Sequence, residues 1–202
     1  MYYSSAGQDK WVLETLNFKS GGFFVDLGAG NGITYNNTYA LETEYNWTGI
    51  CVENTSAHFS ELSINRNCDK YDFTIYNYDG QCYIDSEGKI AETGDTLVTC
   101  KTFDKLMNLN GHQGTIDYLS INVGNVQKEI IDTIDFTKYD ITLISVQNNL
   151  YRSNFLGSDD DIFPIMKEAG YERMGLNVVS LDINFIKRYQ PFEDWYYKIS
   201  SF

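Results

Sequence analysis

The stretch Gly22-Phe23-Phe24-Val25-Asp26-Leu27-Gly28-Ala29-Gly30-Asn31-Gly32 decides how this chain folds. The apolar run Phe23-Phe24-Val25 reads as a strand of a buried parallel sheet, and Asp26 leads it into a glycine-rich turn. In an open α/β sheet ligands sit beyond the carboxyl ends of the strands, where this turn stands. Glycines there let a ligand approach the backbone closely. The pattern is D-x-G-x-G-x-G. A dinucleotide fold wants G-x-G-x-x-G, but position 33 is Ile33 and the third glycine comes one residue early, as Gly32.

Downstream, Asn37-Thr38 can cap a helix carrying Ala40, Leu41 and Tyr45 on its inner face, before Gly49-Ile50-Cys51-Val52-Glu53 forms a second buried strand. That completes a βαβ unit. Thr55 to Asn65 reads as a helix with Phe59 and Leu62 on one side, and Tyr71 to Tyr76 alternates like a strand. Residues 79 to 97 hold Gly80, Gly88 and Gly94 among charged residues without a period, which predicts a surface excursion with one short strand at Cys82-Tyr83-Ile84. Thr102 caps a short helix with Phe103, Leu106 and Met107. Ile116 to Ile121 is the next strand, backed by the stripe Val126, Ile130, Ile131 and Ile134, and Tyr139 to Val146 repeats the scheme.

Asp161 is placed to cap a last helix, with Pro164 in its first turn, Ile162, Ile165, Met166 and Ala169 on its apolar face, and Gly170 as terminator. Two β-like runs then follow, Tyr171 to Val178 and Leu181 to Tyr189, close enough to pair as an antiparallel hairpin. A βα series closed this way predicts a mostly parallel α/β sheet with an antiparallel strand at or near one edge. Phe192-Glu193-Asp194-Trp195-Tyr196-Tyr197 can stack on a sugar or pack at a subunit contact of a homo-oligomer, and packing is the reading favoured.

The chain has 202 residues, 43% hydrophobic, enough for one core, and its two prolines leave no linker, so residues 1–202 read as a single domain. A net charge of −13 repels phosphate backbones and anionic headgroups, which argues against nucleic acid and membrane partners. No apolar run approaches a membrane span, and Met1 to Lys10 lacks the layout of a signal peptide, so a cytoplasmic protein is expected. Cys51, Cys68, Cys82 and Cys100 are widely spaced, which excludes a zinc knuckle or redox C-x-x-C and implies reduced thiols.

Glu53 ends the second strand 25 residues after Gly28, where a carboxylate can accept from both hydroxyls of an adenosine ribose. A nucleoside cofactor without a pyrophosphate fits this pair. Asp26 would sit beneath the turn, accepting from backbone N–H groups and facing the amino group of a methionine-like tail. Read alone, a glycine cluster serves only to reverse the chain; Glu53 at the next strand end favours a site.

At this point the chain resembles the Rossmann-like S-adenosylmethionine-dependent methyltransferases, and more narrowly the FkbM-type family. Gly7-Gln8-Asp9 with Trp11-Val12-Leu13-Glu14, then Gly22 to Gly28, resemble the family's opening segment and first motif. Asn37-Thr38-Tyr39, Trp47 to Glu53, Ile116 to Ile121 and Ile134-Asp135-Phe136-Thr137-Lys138-Tyr139 continue in order over most of the chain. The resemblance implies a seven-stranded sheet with helices on both faces and S-adenosylmethionine held at Asp26, Gly28, Gly30, Gly32, Glu53 and Asn54. It also implies methyl transfer near Asn122 to an oxygen of a sugar or other small hydroxylated acceptor.

The chain departs from the family at two places. Where the family reads Ile-Asp-x-Glu-Gly this sequence has Ile121-Asn122-Val123-Gly124-Asn125, and where it reads Val-Glu-His this sequence has Val146-Gln147-Asn148-Asn149. Amides replace carboxylates and an imidazole, which disfavours a metal-dependent reaction and removes the nearest general base. Positioning alone can still support transfer to an acidic hydroxyl. Two readings therefore stand: an active O-methyltransferase, and a catalytically inactive cofactor-binding relative with a scaffolding or regulatory role. A nicotinamide-dependent dehydrogenase is disfavoured by the misplaced third glycine. His58, on an expected surface helix, and His112, in a polar turn, read as surface residues.

Overall fold

The computed structural model describes residues 1–85, 90–91, 93–94, 96–124, 126–147, 162–179 and 191–201. Along the chain run α1 (Gln8–Thr15), β1 (Phe23–Leu27), α2 (Tyr39–Tyr45), β2 (Thr48–Val52), α3 (Ser56–Asn65), β3 (Asp69–Tyr71), β4 (Thr74–Ile75), β5 (Gly80–Ile84) and β6 (Ile90–Ala91). They are followed by β7 (Thr96–Lys101), α4 (Phe103–Asn110), β8 (Ile116–Ile121), α5 (Gln127–Ile131), β9 (Ile141–Gln147), α6 (Ile162–Glu168), β10 (Tyr171–Val179) and β11 (Pro191–Lys198).

The main sheet has seven strands in the order β10-β11-β9-β8-β1-β2-β3. From β9 to β3 the pairings are parallel, and β11 runs antiparallel to both of its neighbours. This is the expected Rossmann-like α/β sheet. All six residues of β8 are buried, Asp117 and Ser120 among them, which explains why its apolar residues do not alternate with exposed ones.

Alternation in β1 nonetheless divides the two faces. Val25 and Leu27 pack with Leu106, Met107, Ile130 and Met166, from α4, α5 and α6. Phe24 packs with Trp11, Val12, Leu41 and Leu62, from α1, α2 and α3. Helices thus cover both faces, and the crevice lies along the carboxyl ends of β2, β1, β8 and β9. Thr102 caps α4 as expected, its hydroxyl accepting from the Lys105 amide at 3.2 Å.

Three expectations are corrected. The alternation from Tyr71 to Tyr76 does not form one strand: β3 joins the main sheet, while β4 belongs to a second sheet ordered β4-β7-β5-β6. The excursion at residues 79 to 97 contributes three strands to that second sheet instead of one. Its residues escaped notice because the strands are short and only Cys82, Ile84 and Cys100 of β5 and β7 are buried, too few to print a period.

The third correction concerns the hairpin. The described partner of Tyr171–Val179 is Pro191–Lys198, whereas Leu181 to Tyr189 lie outside the described residues, as do Asp161, Asn125, Asn148 and Asn149. β11 is a central strand, and it carries Glu193 and Asp194 buried within it, which disguises it as a polar tail. Trp195 stacks on Trp11 of α1 at 4.7 Å, so the aromatic cluster packs within the chain. Among the described residues no helix is long and apolar enough to cross a membrane.

Candidate functional site

Where the first strand ends, the chain must turn beside two neighbouring strand ends. Gly28 and Ala29 donate their amides to the Val52 carbonyl at 2.9 and 3.0 Å, and the Asn122 amide donates to the Leu27 carbonyl at 2.9 Å. Gly28 has φ +82, and a Cβ there would stand 2.0 Å from the Asn122 carbonyl oxygen, so only glycine permits β1 and β8 to end this close. Gly30 is also left-handed, φ +57, but a Cβ would meet nothing within 4 Å. The space it faces is a cavity.

That cavity has a volume of about 310 Å³ and is lined from four sides. The turn supplies Gly28 and Gly30; the end of β2 and the start of α3 supply Glu53, Asn54, Thr55 and His58. The second sheet adds a wall of Phe73, Thr74, Ile75 and Ile90, and the ends of β8 and β9 bring Asn122, Val123, Gly124 and Gln147. No lysine or arginine lines it among the described residues.

Glu53 is 7% exposed and points to the turn: one carboxylate oxygen accepts from the Gly30 amide at 2.9 Å, the other from the Thr55 amide at 2.8 Å. A carboxylate offers about four lone-pair positions, so both oxygens retain capacity toward the cavity. The turn and the second-strand acid therefore converge on one hollow, and Gly28, Gly30, Glu53, Asn54 and Asn122 stand together around it.

Asp26 and Gly32 do not line it. Asp26 is 2% exposed and lies behind the turn, accepting from the Asn36 side-chain amide and the Thr38 hydroxyl, each at 2.9 Å, rather than from backbone N–H groups. Burial raises its carboxyl above the usual range, while the nearby Arg66 charge pulls the other way. Thr38, expected as a helix cap, makes no cap bond because its hydroxyl is committed to Asp26.

His58 and the second-sheet wall are the lining residues that sequence reasoning missed. α3 starts at the cavity rim, three residues after Glu53, which brings His58 to the edge. The one signal was the strand-to-helix spacing. His112 lies instead against Phe23, ring on ring at 3.6 Å.

At the ends of β8 and β9 the described polar side chains of the lining are the amides of Asn122 and Gln147. Directly across from Gln147 on β11 stands Glu193, buried and bonded to Gln8 and Trp195, which donate to it at 2.6 and 2.8 Å. Burial pushes this carboxyl up to about 7. Among the described residues no cluster of three or more His, Cys, Asp or Glu is placed to hold a metal ion.

Comparison with known proteins places this geometry. The family model described as "Methyltransferase FkbM domain" matches residues 26–173. No curated protein shows significant sequence similarity. A precorrin-6y C5,15-methyltransferase from Geobacter metallireducens shares the fold at TM-score 0.50 and 14% identity, over 94% of this chain and 87% of that one. A putative rRNA-methylase from Clostridium thermocellum superposes at TM-score 0.50 and 12% identity over 98% of both chains. The METTL16 methyltransferase domain does so at TM-score 0.55 and 9% identity, over 94% of this chain and 65% of that one.

Proposed function

The chain belongs to the FkbM methyltransferase domain family, whose cofactor is S-adenosylmethionine, and we propose that residues 1–202 form one domain that methylates an oxygen of a small hydroxylated acceptor, sugars included. The observation that carries this reading is the convergence of Gly30 and Glu53 on one cavity.

Bound S-adenosylmethionine supplies an electrophilic methyl on a sulfonium. Glu53 would accept from the ribose hydroxyls, Asn54 and Thr55 beside it would line the nucleoside's place, and the open side of Gly30 would let the cofactor approach the backbone. Gly28 sets the distance between the turn and Asn122. Asp26 and Gly32 act from behind. Asn122 and Gln147 can orient an acceptor by hydrogen bonding but cannot take its proton, since amides are not bases at neutral pH.

Acceptors that ionise readily are therefore favoured, because in-line positioning is then sufficient. A net charge of −13 and the absence of a cation in the described lining support a small uncharged acceptor over a nucleic acid or phosphorylated one. The same amides favour a second reading, a relative that binds the cofactor without turnover.

Calorimetric titration with S-adenosylmethionine tests the first step. Saturable binding weakened by Glu53→Ala supports the site; no binding, or binding indifferent to that substitution, refutes it. A screen of sugars and small alcohols with a labelled methyl donor, read by product mass, then separates the active from the inactive reading.

A further inference from the structure

Behind the glycine turn lies a buried cation that makes no contact with the cavity. Arg66, the residue after α3, is 2% exposed and its side chain is sealed from solvent. Its guanidinium donates to the Gly32 carbonyl at 3.2 Å, the Asn36 side-chain oxygen at 2.9 Å and the Thr38 hydroxyl at 3.0 Å, and it pairs with Glu42. The plane also sits over the rings of Phe24 and Tyr39, 5.3 and 5.8 Å from their centroids.

These contacts are not interchangeable with a point charge. Three of the groups that Arg66 touches are spaced along the chain just after the turn, and two of them hold Asp26 in place from the other side. Asn36 also donates to the Ala29 carbonyl at 3.0 Å, so the fork reaches the middle of the turn through one intermediate. Its neighbour Asn65 adds a bond to the Asn31 carbonyl at 2.8 Å. The missing side chain of Gly32 is part of the same arrangement: a Cβ there would stand 2.8 Å from the Arg66 Cγ and 2.7 Å from a Leu62 methyl. The third glycine of the motif makes room for the arginine stem.

Resting on the cofactor reading above, we propose that Arg66 is a positioning residue which fixes the shape of the Gly28–Gly32 turn from behind, and that Gly32 serves Arg66 and not the cofactor. The cofactor's affinity then depends on a side chain it never touches. Burying an arginine beside Asp26 and Glu42 is worthwhile only if its planar fork satisfies several acceptors at once, which lysine cannot do.

The test compares wild type, Arg66→Lys and Thr38→Val as full chains, by calorimetric titration with S-adenosylhomocysteine and by amide hydrogen exchange, both at low temperature. Lysine retains the charge that balances Asp26 and Glu42 but loses the fork. The expected result for Arg66→Lys is an unchanged circular dichroism spectrum, about tenfold weaker binding, and about tenfold faster exchange of the Gly30 and Gly32 amides with β8 unaffected. Thr38→Val removes one acceptor of the fork together with that hydroxyl's bonds to Asp26 and Asn36, should weaken binding about threefold and speed exchange at Gly30 and Gly32, and decides whether the network behind the turn sets affinity if the lysine variant does not fold.

A lysine variant equal to wild type in both affinity and exchange overturns the proposal, as does exchange accelerated equally throughout the sheet, the mark of a merely structural role. If wild type binds no S-adenosylhomocysteine, the cofactor reading falls while the exchange data still decide whether Arg66 holds the turn.

Discussion

Glu193→Gln should make the protein more stable at alkaline pH and leave it unchanged in acid. Glu193 is 1% exposed on a central strand, and burial lifts its carboxyl from the ordinary 4.5 to about 7. That displacement corresponds to a preference of about 3 kcal/mol for the protonated form inside the fold. The folded chain therefore holds a proton that the unfolded chain releases above about pH 4.5. Stability from this group is complete below about 4.5, declines as pH climbs, and is lost once pH passes about 7. Glutamine is neutral throughout, and its carbonyl oxygen can accept from Gln8 and Trp195 as the carboxyl does. Tyr118 from β8 and Asp194 on the same strand face or adjoin the group and are unaltered. Every other titration cancels in the comparison, so urea denaturation of the two proteins from pH 4.5 to 8 isolates the term. The expected difference grows with pH in favour of the variant and approaches about 3 kcal/mol at pH 8. Parallel curves, or a variant that loses stability by the same margin at every pH, would refute the assignment of a buried, proton-holding carboxyl.

Other consequences follow from single contacts. Gly28→Ala places a methyl 2.0 Å from the Asn122 carbonyl at a left-handed φ and should prevent folding or lower the melting temperature sharply. Gly30→Ala meets open space, so calorimetry should show a loss of only about 1 kcal/mol of stability but markedly weaker S-adenosylmethionine binding, because the methyl projects into the cavity. Trp11→Ala removes a buried ring stacked on Trp195 and should cost about 3 kcal/mol, a fall of roughly 10 °C in melting temperature by calorimetry. The pair Asn122→Asp and Gln147→Glu should raise methyl transfer in a turnover assay; activity found only in the restored protein would identify the natural chain as the inactive relative.

The sheet was legible because parallel strands buried on both faces write themselves as apolar runs: Phe23 to Val25, Ile50 to Val52 and Ile116 to Ile121 need no partner to be recognised. Gly28, Gly30 and Glu53 were legible for a related reason, since strand ends fix where a turn and an acid must meet. What failed to show was determined by tertiary pairing. Thr74 and Ile75 look like a continuation of β3 until the chain changes sheet, and Ile90 reaches the cavity from a two-residue strand with no pattern of its own. Glu193 and Asp194 argue against a central strand on composition, yet the sheet retains both by giving the first Gln8 and Trp195 and placing Arg173 3.6 Å from the second. Arg66 looks like a surface residue closing a helix. Nothing in its immediate sequence reveals that Asn36, Thr38 and Glu42 wait for it some 24 to 30 residues upstream.

The crevice is chemically lopsided, and that asymmetry makes a kinetic prediction. At the end of β2 a carboxylate, Glu53, has both oxygens ordered by backbone amides. At the ends of β8 and β9 the described side chains are the amides of Asn122 and Gln147, the carboxyl opposite Gln147 is bonded to Gln8 and Trp195, and the imidazole of the described lining, His58, stands at the start of α3 beside Glu53. A base within the enzyme would impose its own ionisation on the rate, whereas amides impose none. For a series of phenolic acceptors of graded acidity, the midpoint of the rising limb of kcat/KM against pH should therefore move with each acceptor's own ionisation. Glu193→Gln should leave those midpoints where they are, because its carboxyl is committed to Gln8 and Trp195, and so should His58→Gln if the rim imidazole takes no proton from the acceptor. A midpoint that stays fixed across the series, and that shifts when Glu193 or His58 is replaced, would show that the enzyme does supply the base and that the amides at 122 and 147 are not what limits the reaction.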